Sequence, residues 1–454
     1  MSANPSTSSG ASVALTKFRV PRMRSDTVLR TALLHRLAGA VETTPLTLVC
    51  APGGSGKTTL LTQLATTLRD QAGCTVLWIA IDTDDNDANR LFAALVQAVA
   101  PLNLTWESDP RALAAGVSGT GHQSRVALAA LVNALCTSPA RRIVIVIDDL
   151  HRIDRDEAFV LLESLIERLP DHVALVLGTR VEPLLPLARW RAHGELVEFL
   201  PAELRFTEAE ALELAEQRQR VTGDTALPER AHDAFVRSQG WAVGLSMLLQ
   251  SRPGQGSLRV ANAAPAVIGN GGDVAQRQLF EYLAEEILAS LPDELQAFVL
   301  KASILVEMNP TLCNAVTGRS DARATLEALY RRNLFLTAID ESVPVVRFHD
   351  LFRDFLEAEL AARFGAELRD LHERAARAET VPSRAIQHFL KAERWDAAAD
   401  PRRLPAGRRA QFVGRGRCGL APTGRTRDVA ARRTRAGRAR GATRVVPGAG
   451  GPAG

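Results

Sequence analysis

The sequence contains no run of about 18 apolar residues, and its N-terminus has no basic segment followed by an apolar core. Neither a membrane span nor a secretory signal is therefore expected, and the protein is expected in the cytoplasm. Cysteine is scarce: Cys50, Cys74, Cys136, Cys313 and Cys418 are scattered over 454 residues without C-x-x-C spacing. That pattern fits reduced thiols and argues against a disulfide framework or a zinc site. The nine histidines form no metal-ligand cluster either. Acid is nearly missing from residues 401–454, which hold 14 Arg and one carboxylate, Asp428. The overall charge of +4 therefore belongs to this tail, and residues 1–400 carry a net −9. The body of the protein offers no global case for nucleic-acid binding.

What is present is organised around Thr47–Leu61, a β-branched and apolar run that breaks into glycines and resumes as a helix. A polyphosphate is held by backbone N–H groups facing a concave nest, which only residues without bulk allow to come close. Ala51, Pro52, Gly53, Gly54, Ser55, Gly56, Lys57, Thr58 and Thr59 are the candidate nucleotide-binding residues. Ala51 stands where the G-x-x-x-x-G-K-[ST] pattern has its first glycine, and it is the smallest alternative. Lys57 would reach the β and γ phosphates, Thr58 would give its hydroxyl to Mg²⁺, and the helix N-terminus adds to the field. A strand before and a helix after separate this stretch from a Gly/Ser loop with a chance lysine.

Arg141–Asp149 is the second signature, a buried apolar strand ending in paired carboxylates. Asp148 would hold the water shell of Mg²⁺, and Asp149 would orient or deprotonate the attacking water. Val173–Arg180 is another buried strand; Arg180 at its end either senses the γ phosphate or caps a surface loop. Strands are also expected at Thr75–Ile81 and Leu196–Leu200. Strands alternating with helices predict an α/β P-loop NTPase with a parallel five-stranded sheet. Asp82–Asp87 reads as a solvated helix cap in preference to a metal site, and residues 101–124 read as a long loop.

The boundaries expected from composition are disorder over 1–16, the NTPase domain at 17–200, and a helical lid domain at 201–265. A winged-helix domain follows at 266–360, with a Gly/Pro/Ala/Asn-rich linker at 251–273. The start of a TPR-like α-helical repeat array occupies 361–400. Arg30 sits on a short amphipathic helix placed at Asp26–Ala40. For 401–454 three readings stay open: an out-of-frame end, a basic arm for nucleic acid, or an ordinary disordered extension.

Taken together, Lys17-Phe18-x-x-Pro21, Val28-x-Arg30, Ala51-Pro52-Gly53-x-x-Gly56-Lys57-Thr58, Asp148-Asp149-Leu150-His151, Thr179-Arg180-x-Glu182-Pro183, Leu204-Arg205-Phe206-Thr207, Gly240-Trp241-x-x-Gly244-Leu245 and Phe348-His349-Asp350-Leu351-Phe352 resemble one family. It is the STAND class of signal-transducing P-loop ATPases, in the MalT-like group of LuxR-type transcriptional regulators, over about residues 17–400. The resemblance implies ATP/ADP and Mg²⁺ as cofactors. It assigns Asp148, Asp149 and Arg180 to catalysis and nucleotide sensing, the Arg30 segment and the Gly240 turn to the adenosine side, and His349 to the diphosphate of a resting form. Ala242-Val243 stand where members often carry proline. The resemblance further implies an ADP-bound monomer, self-association in the ATP state, an inducer or regulatory protein on the helical repeats, and slow hydrolysis as a timer. No LuxR-type helix-turn-helix is recognisable here, so sequence-specific DNA binding is not expected. The alternatives are a plain P-loop ATPase or a nucleotide-binding scaffold outside transcription.

Overall fold

The structure, a computed structural model, describes residues 15–117, 121–250, 274–340 and 345–399. The linker expected at 251–273, the hairpin tip at 341–344 and the arginine tail lie outside the described residues, as do residues 1–14 of the N-terminal stretch expected to be disordered. Leu15–Phe18, at the end of that stretch, is a 3₁₀ turn. It is anchored because Lys17 is buried and donates to Asp82 at 3.0 Å and to the carboxylate of Asp85. The acidic segment Asp82–Asp87 caps as expected, Asp82 the Thr83–Asn86 turn and Asp87 the amides of Asn89 and Arg90, but it is not solvated throughout, because Asp85 is buried against Lys17.

The NTPase part runs α1 (Thr31–Thr43), β1 (Leu46–Cys50), α2 (Lys57–Arg69), β2 (Cys74–Ala80) and α3 (Ala88–Val99). It continues through α4 (Pro110–Ala115), α5 (His122–Cys136), β3 (Arg142–Asp148), α6 (Asp156–Ile166), β4 (Val173–Thr179), α7 (Leu187–His193) and β5 (Leu196–Phe199). The five strands are parallel in the order β2-β3-β4-β1-β5. Alternation across the pleat explains the continuous apolar runs. Ile143, Ile145 and Ile147 join the core against α3, α5 and α6, whereas Val144 and Val146 face the core that α1 and α2 cover.

Two boundaries differ from the sequence reading. The segment 101–124 contains α4, started by Asp109 accepting from the Arg111 amide with Pro110 at the first helical position, and α5 already begins at His122. The Asp26–Ala40 helix begins only at Thr31, with Arg30 as its N-cap. Residues 27–30 stay non-helical because Gln63 Nε2 donates to the Val28 carbonyl at 2.7 Å and the Arg30 guanidinium is drawn to a distant segment.

Beyond the sheet come α8 (Glu208–Thr222), α9 (Leu227–Ser238) and α10 (Ala242–Gln250). Thr207 and Glu210 close a capping box at the start of α8, which satisfies two otherwise orphaned backbone amides. Then follow α11 (Val274–Leu283), continued as a π turn over Ala284–Leu288, α12 (Asp293–Ala302), α13 (Pro310–Thr317) and α14 (Ala322–Arg331). The antiparallel pair β6 (Leu336–Asp340) and β7 (Val345–Phe348) completes the helices-then-hairpin outline, and α15 (Asp350–Phe364) leaves it. Trp241, Leu245, Leu283, Phe298, Phe348 and Phe352 belong to one apolar core that spans both the lid helices and this winged module. Last come α16 (Leu368–Ala378), α17 (Pro382–Lys391) and α18 (Trp395–Ala399). Among the described residues no helix is long and apolar enough to cross a membrane.

Candidate functional site

The loop between β1 and α2 sits at the C-terminal edge of the sheet. Because β4 separates β1 from β3, the end of β4 emerges between the phosphate loop and the paired carboxylates. Gly54 and Gly56 take φ of +71° and +84°, a region L side chains rarely occupy. A Cβ on Gly54 would also lie 2.7 Å from Val243 Cγ2. Lys57 is buried, its Nζ donating to the carbonyl oxygens of Ala51 at 2.7 Å and Pro52 at 2.9 Å. Thr58 donates to Asp148 Oδ2 at 2.7 Å. A hydroxyl beside a buried carboxylate is the pair that a phosphate-bound Mg²⁺ takes up, and the loop offers the open backbone cradle that a polyphosphate needs. The donor set fits a Mg²⁺ nucleotide.

A cavity of about 380 Å³ lies over this edge, lined by Gly53 through Leu60, Asp149 and Arg180, and by Arg30, Phe206 and Val243. It brings together Gly53, Gly54, Ser55, Gly56, Lys57, Thr58, Thr59, Arg30, Asp149 and Arg180; Asp148 reaches it through Thr58. Ala51 and Pro52 contribute carbonyls that hold Lys57. Arg30 makes no free charge for a ligand: it pairs with both carboxylate oxygens of Glu210, donates to the Leu204 and Arg205 carbonyls, and lies 4.8 Å over the Phe206 ring. The Arg180 guanidinium is 3.2 Å from Glu286 on the π turn. His349 is not brought to this cavity. It lines a separate pocket of about 40 Å³ with Pro52, Ser55 and Gly240, where Nε2 donates to the Ser238 carbonyl at 2.9 Å and Nδ1 is unpartnered.

Three contributions go beyond the sequence analysis. Trp241 Nε1 donates to the Gly53 carbonyl at 3.1 Å, and the Val243 amide to that of Gly54 at 3.0 Å. The Gly240 turn therefore grips the back of the phosphate loop itself. Asn333 Nδ2 contacts both Cys50 Sγ at 3.1 Å and the Arg180 carbonyl at 3.2 Å. Gly178 backs the carboxylates: a Cβ there would lie 2.6 Å from Asp148 Oδ1 and 2.8 Å from Leu61 Cδ1. A lone glycine inside a β-branched strand was the signal for such a close approach.

Burial sets the charges. It pushes the Asp148 carboxyl up, the Thr58 hydrogen bond opposing, and lowers His151 to about 3 with help from Arg180, so this imidazole stays neutral. His349 falls to about 4 for the same first cause. Lys57 drops from 10.5 to about 8, through burial and then the Arg180 charge. A bound polyanion needs this lysine charged. Affinity for nucleotide is therefore expected to stay level below pH 8 and to fall by up to ~10-fold per pH unit above it, as each binding event must then take up a proton. Titrations at about pH 7 and pH 9.5 check this, and equal affinities at both would contradict it.

Residues 26–177 match the AAA ATPase domain family, and residues 284–368 match the MalT winged helix domain. The HTH-type transcriptional regulator MalT of Cronobacter sakazakii is 31% identical over 386 residues, which are 83% of this chain and 40% of that protein. MalT of Yersinia enterocolitica is 30% identical over 383 residues, with the same coverage. The chain thus spans about 40% of the length of these curated relatives. Among solved structures, the Walker-type ATPase paby2304 of Pyrococcus abyssi superposes with a TM-score of 0.50 at 13% identity, over 74% of this chain and 98% of that one. It shares the fold.

Proposed function

We propose, from the premise that this chain is a MalT-like P-loop ATPase, that it works in the cytoplasm as a nucleotide-switched regulator of transcription. ADP would hold a closed monomer and ATP would favour self-association, with an inducer or regulatory protein received on the helical repeats that begin at α16. The observation that carries this reading is mechanical. The loop that would bind phosphate is held through Gly53 and Gly54 by the lid, and the arginine beside it is held by the winged module through Glu286. Filling the cavity and moving these modules are thus coupled events, and a ligand shifts such an equilibrium by its difference in contacts between the two states.

In this reading Gly53 through Thr59 cradle the phosphates, and Lys57 leaves the Ala51 and Pro52 carbonyls to meet them. Thr58 and Asp148 hold Mg²⁺, which would neutralise phosphate charge when bound. Asp149, whose backbone is held at φ +59°, places its carboxylate on the cavity to orient water. Arg180 must leave Glu286 before it can follow the γ phosphate.

The pairing of Arg180 with Glu286 is half-exposed on the carboxylate side, so its loss is worth about 1 kcal/mol or less. Glu286→Gln is expected to raise the associated fraction at a fixed sub-saturating ATP concentration, with a shift in midpoint of ~2–5-fold toward lower ATP. Light scattering of wild type and variant with ADP and with a slowly hydrolysed ATP analogue tests the scheme. A protein that binds both nucleotides yet keeps one mass throughout would remove the switch and leave only a scaffold or a plain ATPase.

A further inference from the structure

Resting on the nucleotide reading above, we propose that Gln63 selects the base, the side-chain oxygen accepting a hydrogen bond from the exocyclic amine of an adenine. Gln63 lines the cavity on α2 while only 2% exposed. Its orientation is fixed by chemistry: the atom 2.7 Å from the Val28 carbonyl must be the amide nitrogen, since a carbonyl can only accept. Oε1 is then the atom that Val28 leaves over, and it is buried without a partner. A buried carbonyl oxygen without a donor is an uncommon and costly arrangement.

The neighbouring polar groups at this end are already used. Arg30 is held by Glu210 and two backbone carbonyls. Arg218 is held by Asp26 and by both the hydroxyl and the carbonyl of Ser246. Among the described residues that line the cavity, Gln63 carries the buried side-chain atom left over. Position agrees with the role. Gln63 lies six residues after Lys57, about 9 Å along the helix, roughly the distance a ribose puts between a diphosphate and its base. It shares a helical face with Thr59 and Leu60, which line the same cavity. Val28, Phe206 and Leu214 supply apolar walls.

An acceptor fixed at this point distinguishes purines by their sixth position. Adenine presents N–H there; guanine presents an oxygen, and two acceptors facing each other leave both unpaired. The nitrogen anchor on Val28 prevents the amide from turning over to suit guanine.

Calorimetric titration with ADP, GDP and the diphosphate of purine riboside, which is adenosine without the amine, tests this on the wild-type protein alone. ADP is expected to bind ~10-fold tighter than the amine-free analogue and ~100-fold tighter than GDP. In Gln63→Leu, ADP and the analogue should bind equally, the preference for the amine being lost. Equal binding of ADP and the analogue by wild type would overturn the proposal, and so would a Gln63→Leu protein that still prefers ADP. If wild type binds none of the three, with or without Mg²⁺, the nucleotide site itself falls and this inference with it. The wild-type comparison needs no variant to fold.

Discussion

Lys57→Ala is expected to weaken binding of ADP and ATP by more than ~100-fold, to the point of no measurable affinity, while the protein stays folded. The lysine is the charged side chain at the centre of the loop, and each charge-assisted hydrogen bond lost to phosphate is worth about 1.5–3 kcal/mol. Stability should move the other way or not at all. In the folded protein Lys57 sits at about 8 against 10.5 when exposed. Its charge therefore opposes folding by an order of ~3 kcal/mol at neutral pH, a penalty present below pH 8 and fading as pH rises toward 10.5. Alanine removes that penalty together with the two hydrogen bonds to Ala51 and Pro52, and the melting temperature should stay within about 5 °C. Nucleotide titration beside thermal melting decides it: a well-folded variant with unchanged affinity would mean that the loop is not a phosphate site.

Trp241→Ala should give the largest loss of stability, ~3–5 kcal/mol, out of the ~5–15 that a domain ordinarily has. The indole is 5% exposed, meets Phe335 edge-on at 4.9 Å, and stands 6.2 Å from both Tyr282 and His349. Trp241→Phe separates packing from tethering, since it keeps most of the apolar contact and deletes only the hydrogen bond to Gly53. It should cost ~1–2 kcal/mol and loosen the loop, visible as faster amide exchange at Gly53–Gly56. Denaturant unfolding of both variants checks the difference; an alanine protein as stable as wild type would show that the lid does not depend on this ring.

Local chemistry made most of the candidate phosphate site legible. Gly53–Thr58 and Asp148-Asp149 each announce themselves within a dozen residues, because a phosphate cradle and a carboxylate at a strand end are built from contiguous chain. The five strands were legible for the same reason, as apolar runs buried on both faces. Their order was not, since a parallel crossover can reach either neighbour. Contacts between distant segments were equally silent. Trp241 and Gly53 are 188 residues apart, Arg180 and Glu286 are 106 apart, and nothing in either stretch names the other. Arg30 shows the same silence from the other side: the resemblance sets its segment on the adenosine side and the residue does line the cavity, but Glu210 and two carbonyls, 174 to 180 residues away, hold its guanidinium. Gln63 stands in the sequence as one more polar residue on a helix, although its flanks, Leu60 and Leu64, are both buried.

The core shared by the lid helices and the winged module also divides the molecule by the kind of cohesion on each side. Phe335 packs on Phe352 at 5.2 Å and Phe352 on Phe348 at 5.6 Å within a continuous apolar body. Across to the sheet, by contrast, the polar ties are individual: Trp241 to Gly53, Asn333 to Cys50, the Glu182 amide to the Arg331 carbonyl, Arg180 to Glu286. Water can replace a polar tie almost in kind, but it cannot replace an aromatic contact. Under a pulling force the chain should therefore tear first along this seam, with lid and winged module leaving as a single block. Val28 belongs to the block's core while its carbonyl is held by Gln63 on the sheet side. The short stretch before α1 is thus stitched to both halves, and it is the thread that the seam must pull last.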